Sequence, residues 1–113
     1  MDIDKLSLDY ETEPYTVILQ AFDWSMQFIM AIEEMSELTK EITKALRGYS
    51  RRDNVIEEIA DVEIMLAQLK VVLGVTDGDV DKEKKRKLDR LKPAVMQRLE
   101  KIKATQDYYD AKN

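Results

Sequence analysis

Cysteine and histidine are both absent from the 113 residues. Without Cys there is no disulfide scaffold, no thiol nucleophile and none of the common zinc sites. Without His there is no Ser-His or Cys-His pair, no imidazole relay, and no Glu-x-x-His ligand set of the ferritin-like di-iron bundles. Any metal held by this chain must be held by oxygen, which selects Mg²⁺, Mn²⁺ or Ca²⁺. No uninterrupted apolar run approaches the length of a membrane span, so no membrane partner is expected. The start, Met1-Asp2-Ile3-Asp4, lacks the basic-then-apolar order of a secretory signal, and a cytoplasmic location is the expectation.

What is present is a chain 44% hydrophobic and 36% charged, with a net charge of −5. That apolar share supports a folded core, and the length predicts a single domain over residues 1–113. The charge is uneven. Residues 1–48 hold 4 basic and 10 acidic groups, residues 49–78 hold 3 and 6, and residues 79–113 hold 11 and 7. The acidic body argues against nucleic acid as the partner, despite the basic C-terminal third.

Only three Gly and two Pro punctuate the chain. Residues 1–13 read as a loose polar lead-in. Pro14 suits a first helical turn, giving a short helix through about Phe22. Asp23 or Ser25 is placed to cap a second helix that Gly48 ends. Its apolar residues Phe28, Ile32, Met35, Leu38, Ile42 and Leu46 recur at steps of three and four. A third helix, capped by Ser50 or Asp53 and stopped by Gly74, carries Val55, Ile59, Val62, Leu66, Leu69 and Leu73 at the same steps. The fourth starts near Asp79 with the stripe Leu88, Leu91, Val95, Leu99 and Ile102. Pro93 inside that run predicts a kink or break, and residues 104–113 are expected to fray. No strand-like alternation or repeat is present. The fold class is therefore all-α, a four-helix-type bundle with short connections.

Two helices place carboxylates where a core should be. At 100° per residue, Gln27, Glu34, Glu37 and Glu41 fall within about 80° of one another on the second helix, beside its apolar stripe. On the third helix Glu58 lies inside the apolar stripe and Asp61 at its edge. A lone carboxylate there is costly unless paired or metal-bound. Glu58 and Asp61 pairing with Lys or Arg across the bundle is one solution. The other is convergence of Glu34, Glu37, Glu58 and Asp61 on a divalent cation, since each helix offers acids at i and i+3 on one face.

Ala31-Ile32-Glu33-Glu34-Met35-Ser36-Glu37-Leu38, followed by Glu57-Glu58-Ile59-Ala60-Asp61-Val62, resembles the Glu-x-x-Glu … Glu-x-x-Asp signature of MazG-like nucleotide pyrophosphohydrolases, of the all-α NTP pyrophosphatase superfamily. Lys87-Leu88-Asp89-Arg90-Leu91 is similar to the Lys-Phe-x-Arg-Arg segment downstream in that family, with Leu91 in place of the second Arg and Lys85 where an Asn is often found. The resemblance covers about Gln27 to Leu91 and suggests a compact single-domain member. It implies hydrolysis of a nucleoside triphosphate to the monophosphate and pyrophosphate with Mg²⁺, or Mn²⁺ in its place. It implies Glu34, Glu37, Glu58 and Asp61 as metal ligands, with Glu37 a guess for the carboxylate that orients the water. It implies phosphate contacts from Lys87 and Arg90, with Lys84 a lesser candidate. Trp24 and Gln27 are weaker candidates for contact with the base, the Trp by stacking. The family's members are homodimers or homotetramers, and four apolar stripes on so short a chain leave surface to cover. The competing reading is a non-enzymatic helical interaction module whose acidic face binds a basic partner.

Overall fold

The computed structural model describes residues 2–113. Among them there is no strand, and four α-helices account for most of the chain: α1 (Pro14–Ala21), α2 (Trp24–Leu46), α3 (Arg52–Leu73) and α4 (Asp77–Lys112). A 3₁₀ turn, Ile3–Lys5, precedes them. The described residues divide into two compact units, one ending at Thr76 and one running from Asp77 to Asn113. No helix among them is long and apolar enough to cross a membrane.

In the first unit α2 and α3 form a helical hairpin and α1 packs on α3. Pro14 opens α1, as its preset φ favours. Asp23 caps α2, accepting from the Ser25 backbone N–H at 2.8 Å. Both long helices end the same way. Gly48 and Gly74 take φ of +77° and +67°, a region an L side chain enters only at a cost. The next residue then closes the helix, with Tyr49 N–H on the Lys44 carbonyl and Val75 N–H on that of Lys70, both at 2.9 Å.

Several local expectations are corrected. The α3 N-cap is Arg51, with no side-chain cap, rather than Ser50 or Asp53. The Ser50 hydroxyl donates instead to Glu41 Oε2 at 3.2 Å, a buried acceptor that needs it more than an exposed helix end does. The lead-in is tied down, since Ser7 and the Gln20 carboxamide exchange two hydrogen bonds of 2.9 and 2.7 Å. In the second unit, α4 begins at Asp77 and runs 36 residues through Pro93 without a break. Pro93 and Asp89, whose carbonyl it cannot bond, are both exposed, so water is at hand for the freed acceptor. The C-terminal end is helical to Lys112 rather than frayed. Contacts at i, i+4 hold it: Gln106 Nε2 donates to Asp110 at 2.9 Å, and Lys112 Nζ sits 4.7 Å above the Tyr108 ring.

The face that α2 turns inward was not the one its apolar stripe suggested. Gln27, Ala31 and Glu41 are its buried residues, with Glu34 and Leu38 half-buried. Ile32 is 66% exposed, Ile42 54% and Leu46 85%. The polar face lies against α3, where Val62, Met65 and Gln68 are buried. The hairpin thus holds carboxylates and carboxamides inside and leaves much of its apolar surface outside.

Candidate metal centre

Because α2 and α3 are joined by a short loop, positions near the middle of each helix come level. Glu34 from α2 meets Glu58 and Asp61 from α3, one turn apart on the same helix face. One carboxylate oxygen from each of the three lies within 4.8 Å of the others, and all three residues are half-buried. No basic side chain among the described residues pairs with any of the three. Glu58 Oε2 is shielded from solvent and has no hydrogen-bond partner. Within the first unit no Lys or Arg pairs with Glu58.

The electrostatics follow from the geometry. Burial pushes the Glu34 carboxyl above its ordinary value, and the charges of Asp61 and Glu58 push it further. Burial likewise raises Glu58, followed by repulsion from Asp61, Glu37, Glu57 and Glu41. Glu34, Glu58 and Asp61 form a group of carboxylates that could hold a metal ion, and one Glu58 oxygen there is without a hydrogen-bond partner. The donors are all hard oxygens, which suits Mg²⁺ or Mn²⁺ completed by water and substrate oxygens.

The structure brings together three of the four carboxylates singled out in the sequence. Glu37 lies outside the cluster, exposed, with its Oε1 3.3 Å from Lys40 Nζ, although its charge still reaches Glu34 and Glu58. Gln27 is buried and its amide donates to Met30 Sδ at 3.8 Å. Trp24 begins α2, 55% exposed, in edge-on contact with Phe28 at 5.2 Å between centroids. Lys84, Lys87 and Arg90 lie on α4, in the second unit, all exposed.

Two inward polar residues carried no expectation of their own. Glu41 is 6% exposed, and its charge is met by Lys44 Nζ at 3.1 Å and by Ser50. It ties the α2–α3 loop to the hairpin. Gln68 is 2% exposed with its Oε1 unpartnered. It stands seven residues after Asp61, nearly the same bearing on α3, so the polar line through the apolar arc was visible in the spacing. No family model, curated protein or solved structure matches the chain.

Proposed function

We propose that this chain is a MazG-like, Mg²⁺-dependent nucleoside triphosphate pyrophosphohydrolase, acting on an NTP or dNTP. The observation that carries the reading is the unpartnered Glu58 oxygen in a cluster of three carboxylates with no basic neighbour. The signature residues in the sequence and the all-α hairpin that brings Glu34, Glu58 and Asp61 together support it from two sides. Binding of the bundle type to a second copy, as a dimer or tetramer, belongs to the same reading.

In this reading Glu34, Glu58 and Asp61 hold the ion. Bound Mg²⁺ would neutralise the polyphosphate and lower the pKa of a coordinated water. Glu37, one helical turn from Glu34 and outside the ligand cluster, is assigned the role of accepting a proton from the attacking water. The water oxygen bonds to phosphorus, the α–β bridging P–O bond breaks, and the products are the nucleoside monophosphate and pyrophosphate. The family resemblance names Lys87 and Arg90, with Lys84, as the residues for charge-assisted hydrogen bonds to phosphate oxygens. Trp24, with its indole more than half exposed, is the better of the two base-contact candidates, because Gln27 is already engaged in packing.

The test is a panel of NTPs and dNTPs with Mg²⁺, reading pyrophosphate and orthophosphate separately, with EDTA and Glu58→Gln controls. Pyrophosphate release abolished by both controls is expected. No release from any nucleotide, with no Mg²⁺-induced rise in melting temperature, would overturn the enzyme reading in favour of an acidic interaction module.

A further inference from the structure

A second polar level lies next to the metal centre in the α2–α3 hairpin. In an antiparallel helix pair, a step back along one helix and an equal step forward along the other stay level. Glu34 meets Asp61 at the acidic level, and Glu41 and Val55 line one groove in nearly the same register. Seven residues back from Glu34 stands Gln27, and seven forward from Asp61 stands Gln68. Both are about 10.5 Å along the hairpin from the acidic level and on nearly the same bearing. Both are buried, with 6% and 2% exposure.

Gln68 is not satisfied where it stands. Its Oε1 has no hydrogen-bond partner, and its amide donates only to Met65 Sδ at 4.0 Å. A thioether is a weak acceptor, so both polar ends of this carboxamide are open to a better partner. An unmet buried carbonyl is unfavourable, and an apolar side chain of the same length would avoid it. Gln27, at the same level, likewise rests its amide on a thioether, Met30 Sδ, at 3.8 Å. Both sulfurs sit on flexible, unbranched side chains, and Met30 is 39% exposed, so a flat polar ring can displace them.

With phosphates at Glu34, Glu58 and Asp61, the ribose and base of a nucleotide extend along the hairpin in one of two directions. Toward the α2–α3 loop the next inward group is Glu41, already met by Lys44 and Ser50. The other way lies the carboxamide level with its free acceptor, and one turn beyond Gln27 stands Trp24, 55% exposed. We infer that Gln68 reads the base of the bound nucleotide, an assignment that rests on the pyrophosphohydrolase reading. Its Oε1 accepts an N–H of the base edge, and its Nε2, released from Met65, donates to the neighbouring acceptor atom. A carboxamide makes such a pair of parallel bonds with the edge of a base. Gln27 forms the opposite wall, and Trp24 offers a ring face for stacking. The substrate class is then a nucleotide selected by its base, rather than a polyphosphate held by its phosphates alone.

The test is Gln68→Met, which keeps the length of the side chain and removes both polar ends. Turnover of dATP, dCTP, dGTP and dTTP is measured with Mg²⁺, and binding of the matching monophosphates is measured by calorimetry in EDTA. The unmodified chain should prefer one base by about 10-fold or more in kcat/KM. Gln68→Met should lose about that factor for the preferred base, chiefly through KM, and bring the bases within about threefold of one another. Its urea midpoint should hold or rise, because an unmet acceptor is gone. Gln68→Asn, which keeps both polar ends, should preserve the order of the bases at lower affinity. An unchanged order in Gln68→Met, or equal turnover of every base by the unmodified chain, would overturn the base-reading role and leave the pyrophosphohydrolase reading intact. Base-selective monophosphate binding that Gln68→Met abolishes, with no pyrophosphate release, would keep the base site and overturn the pyrophosphohydrolase reading. Neither binding nor release would overturn both.

Discussion

The α2–α3 hairpin and α4 use carboxylates at the same helical spacings with opposite results. On α4 Glu83 and Asp89 find cations on their own helix. Arg86 Nε is 3.0 Å from both Glu83 oxygens, and Lys85 Nζ is 2.6 Å from Asp89. Glu83 is held below its ordinary value, first by the Arg86 hydrogen bonds. In the hairpin, Glu34 and Glu58 are raised, first by burial and then by the like charges around them. A surface ion pair at i, i+3 or i, i+4 completes itself and does little else. Carboxylates brought together by tertiary packing leave a charge for an outside cation to meet.

The largest effect should come from breaking the hairpin cluster. Glu58→Gln, Asp61→Asn or Glu34→Gln should each lower Mg²⁺-dependent pyrophosphate release by about 100-fold or more, read as initial rate against nucleotide. Glu37→Gln separates holding the ion from using it. It should cut turnover while moving the Mg²⁺ midpoint, measured by calorimetry, less than Asp61→Asn does. Glu41→Ala removes an inward carboxylate that already has partners, so it should leave the Mg²⁺ midpoint in place and lower unfolding stability in urea by about 1–2 kcal/mol.

The pH dependence sharpens the contrast through its sign. Glu34 and Glu58 bind protons more tightly in the folded chain than at the ordinary glutamate value of 4.5. Their contribution to stability is full below that value and is lost as pH rises through the raised folded values. Metal-free protein should therefore lose melting temperature on passing upward through that window, added Mg²⁺ should restore it, and Glu58→Gln should flatten the profile. Glu83 runs the other way, with stability present above 4.5 and lost as pH falls through its lowered value. The smallest effect is expected from Arg86→Ala, which leaves Glu83 to water and should shift the melting temperature immeasurably.

Much of this was legible in the residues. Helix positions follow from apolar steps of three and four, Gly48 and Gly74 mark the ends of α2 and α3, and Asp23 caps α2. Glu58 and Asp61 stood out because they interrupt an apolar arc. The missed features depend on contacts between distant residues. Ser50 prefers a buried Glu41 to the α3 end, and α4 passes Pro93 intact at an exposed position.

Sequence alone determined the helical class, because periodicity and capping are local properties of the chain. It also pointed any metal to oxygen ligands, because no thiolate or imidazole ligand is encoded. Tertiary structure decided which face of α2 turns inward, that Glu34 joins Glu58 and Asp61 while Glu37 turns to Lys40, and that Glu58 keeps an unpartnered oxygen. Those outcomes depend on the register of one helix against another, which no spacing within a single helix specifies.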